Sequence, residues 1–329
     1  FPSNPLIEAV AKEGIRPIAF RHERGAVMAA DGFSRTSDRE RFGVVAVQSQ
    51  AGAENALAGI AQANADNIPI LVLPGGNNLS QLSVTPNYNV TKSYVGIAKS
   101  VEAIYKPDQI NNVMRRAFSA LRNGRPAPVV VELTSDVVAS ETSNEISAYS
   151  APSEMLQLPE SRSIKNAAQS ILESKKPLIW AGAGVLFSKA TEELKELAEL
   201  TGAPVFCTMP GKSAFDERHP LSLGAGGGTT TGAANLWLEH CDLILALGSS
   251  LTRTPYGQKI KSDIFLIQNT NSVDDINKDE SVDIGLLGDT KLTISALIEE
   301  LKIIIGNEKK DYSGTLEQIQ HIQNAWRKE

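Results

Sequence analysis

Short apolar runs alternate with stretches of helical periodicity along most of the chain, and no other feature limits the possible folds as much. Gly43–Gln48 (GVVAVQ), Ile68–Leu73 (IPILVL) and Pro128–Leu133 (PVVVEL) are near-continuous apolar runs without an in-out alternation. Strands of that kind belong in a sheet covered on both faces, and helices between successive strands make such a sheet parallel. The expected helices are Glu23–Arg35, with Ala26, Ala29, Ala30 and Phe33 on one side, the Ala-rich Gly52–Asp66, and one opening near Pro107 and running to about Arg122. Ile15–Phe20 (IRPIAF) reads as a further short strand. The expected class is α/β, a doubly wound parallel sheet of αβα layering.

The pattern then recurs. After a polar stretch with two prolines comes the strand Pro177–Ala181, the tight turn Gly182-Ala183-Gly184 and the amphipathic helix Lys189–Thr201. The strands Pro204–Thr208, Leu243–Leu247 and Ile264–Gln268 follow. From about Asn307 the chain is polar and charged, with a helical pattern in Leu316–Trp326. The expected organisation is a first domain over residues 1–140, a linker over 141–162, a central Rossmann-like domain over 163–306 and a connector over 307–329. A chain of 329 residues suits two such domains. It opens with Phe1-Pro2 inside what reads as a loop, so it reads as a fragment cut at both ends.

Composition removes several function classes. The net charge is −6 and no block of Lys or Arg could track a phosphate backbone, which argues against nucleic acid. Cys207 and Cys241 stand far apart, with neither a disulfide framework nor a Cys-based zinc site, as in a reducing cytoplasm. The histidines His22, His219, His240 and His321 are scattered. No apolar run has the length of a membrane span and no signal peptide is visible.

Three constellations stand where strands meet helices. In Arg21-His22-Glu23-Arg24-Gly25-Ala26, Glu23 opens a helix at the mouth of a crevice, where doubly wound sheets place ligands. The macrodipole alone would also explain a Glu in a first helical turn. Gln48-Ser49-Gln50-Ala51-Gly52-Ala53-Glu54-Asn55 puts a Gly where backbone comes close to another group, although a plain strand-to-helix turn needs no more. Asn67-Ile68-Pro69 opens the third strand.

Taken in order, Phe1-Pro2-Ser3, RHERGA, AADGFSR, GVVAVQSQAGAEN and ADNIPILVLPGG resemble the N-terminal pyrimidine-binding domain of thiamine-diphosphate-dependent enzymes of the acetolactate synthase type. KPLIWAGAGV, GAPVFCTMPGKSAFDERHPLSLG and GAANLWLEHCDLILALGSSL resemble the central domain of the same family. The resemblance implies thiamine diphosphate as cofactor and Glu23 as the catalytic carboxylate, hydrogen-bonded to N1′ of the aminopyrimidine so that the 4-amino group acts as a base beside the thiazolium ring. It implies Pro2, Ser3, Gly52 and Asn55 as cofactor-binding positions; His22 is read apart from the resemblance as an organiser of its loop, the commoner role of such a His. It further implies a 2-keto acid substrate, decarboxylase or carboligase chemistry, and a homodimer or homotetramer with shared active sites.

Departures from the family pattern bound these expectations. Gln50-Ala51-Gly52-Ala53-Glu54-Asn55 stands where the family has Gly-Pro-Gly-Ala-Thr-Asn, and Asn87-Tyr88-Asn89 where it has Phe-Gln-Glu. Gly228-Thr229-Thr230-Thr231 and the segment from Gly248 to Thr254 replace the family's FAD-binding stretches, so the reading leans against FAD. The family's metal motif, Gly-Asp-Gly followed by Asn-Asn, is missing; Gly288-Asp289-Thr290 is not that motif. The Mg2+ ligands are therefore expected in a C-terminal domain outside this chain. Other readings stay open: a lyase or decarboxylase for another substrate (benzoylformate-type or acyl-CoA), or a non-catalytic relative of the fold.

Overall fold

A computed structural model describes residues 3–142, 149–306, 311–326 and 328. The chain divides into two compact units, Phe1–Met155 and Leu156–Glu329. Each is an α/β structure built on an all-parallel sheet.

The first unit opens with helices α1 (Asn4–Lys12) and α2 (Glu23–Thr36). Strand β1 (Gly43–Val47), helix α3 (Ala51–Ala65) and strand β2 (Ile70–Gly76) follow. A short helix α4 (Val90–Ser93) leads to β3 (Ser100–Ile104), α5 (Ile110–Arg122), β4 (Val129–Thr134) and α6 (Ser135–Val138). The sheet order is β1-β2-β4-β3. Alternate residues of β2 and β4 enter two separate cores. Ile70, Val72 and Val130 pack with Val27, Ala53, Ala56, Ile60 and Tyr94, while Leu71, Val129 and Val131 pack with Val113, Ala117 and Leu121 of α5. Burial on both faces is what made the strands continuously apolar.

Two expectations for this unit fail. Ile15–Phe20 forms no strand: no strand among the described residues pairs with it, and Ile15, Ile18 and Phe20 are exposed. Apolar β-branched residues favour a strand only where a neighbour can complete the ladder. The strand expected over Ile68–Leu73 runs on through Pro74-Gly75-Gly76, since Pro74 lies opposite Val47, and Gly75 and Gly76 lie opposite Leu133 and Thr134. Strand β3 went unread because Ser100 and Glu102 interrupt its apolar pattern. It is an edge strand, and Glu102 accepts hydrogen bonds from Arg116 of α5.

The second unit runs α7 (Ser161–Glu173), β5 (Pro177–Ala181), α8 (Ala183–Phe187), α9 (Thr191–Thr201), β6 (Val205–Thr208) and β7 (Ser222–Gly226). It continues through α10 (Gly232–His240), β8 (Leu243–Leu247), β9 (Phe265–Thr270), β10 (Ile284–Leu287), α11 (Thr290–Ile305) and α12 (Ser313–Trp326). The order β10-β9-β8-β5-β6-β7 reverses direction between β5 and β8. Residues 313–326 do not trail away: α12 buries Ile319 in the core of this unit and sets Trp326 against Gly232.

At the reversal the backbone after β5 touches the backbone after β8. A Cβ on Gly182 would collide with the Gly248 carbonyl, and one on Gly184 would lie 2.6 Å from Gly248 Cα. The sharp turn is therefore explained by close packing. Gly184→Ala is expected to destabilise the unit by ~1–3 kcal/mol through overpacking, read as a lower denaturant midpoint with an unchanged slope.

Candidate active site

Glu23 is the first residue of α2, held there by the residue before it. His22 has extended backbone and its Nδ1 accepts a hydrogen bond from Arg24 N at 3.1 Å, capping the helix. That cap satisfies a donor the first turn would otherwise leave open. It fixes the direction in which Glu23 leaves the backbone, and His22 so organises its loop as expected.

Both carboxylate oxygens of Glu23 face the first turn of α3. Asn55 Nδ2 donates to Oε2 at 3.2 Å, and a Cβ on Gly52 would lie 3.3 Å from Oε1. The same Cβ would sit 2.9 Å from Gln48 Cβ. Gly52 is buried, Glu23 half-buried and Asn55 exposed. Three of the expected site residues thus meet, 32 residues apart in sequence for the Glu23–Asn55 pair. Ser3 is placed at Gly75: a Cβ on Gly75 would be 3.6 Å from Ser3 Oγ and 3.2 Å from Ser49 N. Ser49 is separated from Gly52 only by Gln50 and Ala51. Pro2 lies outside the described residues.

Gly52→Ala would press a methyl group into Glu23 and Gln48. The expected outcome is a loss of ~1–3 kcal/mol of stability through overpacking, measured by thermal unfolding.

Glu132 is a buried acid that sequence reading passed over. It stands in β4 and is 3% exposed. Its Oε1 would lie 2.8 Å from a Cβ on Gly76, so the glycine at the end of β2 makes its room. Desolvation pushes its carboxyl up to about 7. Tyr94 is fully buried, donates to Ala53 O at 2.6 Å, and is pushed up by burial first and then by the charges of Tyr88 and Glu132. Tyr88 Oη is buried with no partner among the described residues. The signal was present in PVVVEL: a Glu inside an apolar strand that is buried on both faces has to be a buried acid.

No group of three or more His, Cys, Asp or Glu side chains among the described residues could hold a metal ion. Asp289 of the Gly288-Asp289-Thr290 stretch is a helix cap: Oδ1 accepts from Leu292 N at 2.9 Å and Oδ2 from Ser188 Oγ at 2.7 Å. Among the described residues no helix is long and apolar enough to cross a membrane. Cys207 and Cys241 are buried free thiols, each pushed up to about 11 chiefly by desolvation.

A carboxylate at a helix start, facing a glycine and an amide at the carboxyl end of a parallel sheet, is the arrangement of a cofactor-binding α/β enzyme domain. Residues 2–105 match the thiamine pyrophosphate enzyme N-terminal TPP binding domain, and residues 164–297 match the thiamine pyrophosphate enzyme central domain. The chain belongs to the thiamine pyrophosphate enzyme family. It is 34% identical over 335 residues to a protein of Methanocaldococcus jannaschii described as "Probable acetolactate synthase large subunit", covering 97% of this chain and 54% of the relative. It is 31% identical over 309 residues to an acetolactate synthase large subunit of Mycobacterium tuberculosis, covering 91% of this chain and 48% of the relative. The chain spans about half the length of the curated relatives it matches.

Proposed function

We propose that this chain supplies the pyrimidine-holding half of a thiamine-diphosphate site, in a protein that decarboxylates 2-keto acids or joins them to a carbonyl acceptor, as acetolactate synthases do. The observation that carries the reading is the meeting of Glu23, Gly52 and Asn55. When bound, thiamine diphosphate supplies the nucleophilic carbon and the electron sink for breaking the bond between the carboxylate and carbonyl carbons of a keto acid.

The residues fit the aminopyrimidine. Glu23 is the group to hold N1′, sharing a proton with it through a charge-assisted hydrogen bond. The missing side chain at Gly52 leaves backbone open to a flat ring, a cradle that a Cβ would fill. Asn55 restrains the second carboxylate oxygen, so that Glu23 keeps one oxygen for the ring and one for its support. Ser3 adds a hydroxyl group and Ser49 a backbone N–H beside Gly75. The diphosphate and its Mg2+ fall to a C-terminal domain, contributed by a neighbour in a homodimer or homotetramer. Exposed Met28 and Phe33 on α2 support such an assembly. The buried free thiols support a cytoplasmic location.

The test is carbon dioxide release by the whole protein from a panel of 2-keto acids, with and without thiamine diphosphate and Mg2+. Release that requires the cofactor is expected for at least one acid. Cofactor binding without turnover on any acid would leave the non-catalytic reading standing in its place.

A further inference from the structure

The residue before α3 is a glutamine in a backbone conformation that glutamine avoids. Gln50 has φ 58° and ψ −121°, outside the small left-handed region open to side-chain-bearing residues. Strain of this kind persists only where the surroundings over-determine it. Here the surroundings are visible. Gln50 Nε2 donates to Asn77 Oδ1 at 2.8 Å and to Asn87 Oδ1 at 3.4 Å, and Gln50 Oε1 accepts from Tyr88 N at 3.0 Å. Asn77 Nδ2 donates to Tyr88 O at 3.3 Å, which closes the set.

Every polar atom of the Gln50 side chain is thus spent on one segment, residues 77–88. That segment carries little regular structure of its own, only a short 3-10 turn at Leu79–Gln81. It has no apolar core either, since residues 78–86 are exposed apart from half-buried Leu82. It is anchored from one further side, where Leu79 N donates to Asp136 Oδ2 at 2.5 Å. Downstream, Tyr94 ties the chain to Ala53, the neighbour of Gly52. The amide of Gln50 therefore joins the turn that presents Gly52 to Glu23 with the segment facing that turn.

We propose that Gln50 is a positioning residue that latches residues 77–88 over the turn carrying Gly52, and that this latch sets how the substrate, rather than the cofactor, is held beside Glu23. The inference rests on the proposed function for its substrate half only; the latch itself stands on the hydrogen bonds.

Two variants separate strain from latch. Gln50→Gly removes the side chain and accepts the backbone angle without cost, while Gln50→Ala removes the side chain and keeps the strain. In the whole protein, amide exchange in 77–88 should quicken about ten-fold in both variants, since two to three hydrogen bonds are lost. The melting temperature should fall in Gln50→Ala and be largely recovered in Gln50→Gly. In Gln50→Gly the KM for the keto acid should rise about ten-fold while thiamine diphosphate affinity stays within about two-fold. Asn77→Ala should quicken exchange in the same amides, and adding it to Gln50→Gly should bring little more.

Unchanged exchange at 77–88 in Gln50→Gly would overturn the latch. Faster exchange with an unchanged KM would show the latch to be structural only, and would overturn the positioning role. If instead Glu23→Gln retains full cofactor affinity and turnover, the proposed function fails while the exchange result still decides the latch.

Discussion

Replacing Glu23 by Gln in the whole protein is expected to lower kcat by ~10²–10⁴, the range lost when a positioned proton-transfer group is removed. The amide has nearly the same size and can still reach Asn55, so the first unit should melt within ~0.5 kcal/mol of wild type, as for other changes at incompletely buried positions. What disappears is the ability to share a proton with a ring nitrogen. Glu23→Asp should fall between the two, because the acid remains but no longer reaches as far past Gly52. Stopped-flow turnover together with thermal unfolding checks both halves of the expectation. A Glu23→Gln protein with wild-type kcat would remove Glu23 from the chemistry.

The second large effect concerns stability. Glu132 is buried, makes no ion pair among the described residues, and is pushed up from the ordinary 4.5 to about 7 by desolvation. A folded-state value above the unfolded one means that the fold favours the protonated acid. The stabilisation is therefore complete below pH 4.5 and is lost as pH rises through about 7. At about 1.4 kcal/mol for each pH unit, the loss amounts to about 3 kcal/mol. Glu132→Gln keeps the neutral form at every pH. Its stability should equal wild type near pH 4.5 and exceed it by about 3 kcal/mol near pH 8, because the charged form is never buried. Urea titrations of both proteins across that range test this. Parallel pH profiles would show that Glu132 has found a partner and is not a buried lone acid.

Much of this architecture was legible in the chain. The strands Val129–Thr134 and Leu243–Leu247 lie inside sheets covered on both faces, and their apolar runs have few other interpretations. The pairing of Glu23 with Gly52 and Asn55 followed from family motifs, not from periodicity: nothing in local sequence brings residues 32 apart together. Ile15–Phe20 shows the reverse failure. Its composition is that of a strand, yet strand formation depends on a neighbour that local sequence cannot supply. Ser222–Gly226 and Ile284–Leu287 were missed because they are the outer strands of their sheet, short and partly polar or glycine-bearing.

Gln50 was read as the loss of a glycine. The structure shows what a glycine would lack, since a side chain in that turn can reach Asn77, Asn87 and the backbone of Tyr88. The lesson is physical: a departure from a glycine-rich turn costs backbone strain, so the side chain that replaces it merits a search for compensating bonds.

Whether Glu23 holds the pyrimidine of thiamine diphosphate is decided by a crystal structure of the whole protein with the cofactor and Mg2+. N1′ is expected within ~2.6–2.9 Å of a Glu23 carboxylate oxygen, with the ring against Gly52 and Asn55 still on the other oxygen. A pyrimidine bound away from Glu23, or held by a different carboxylate, would contradict it.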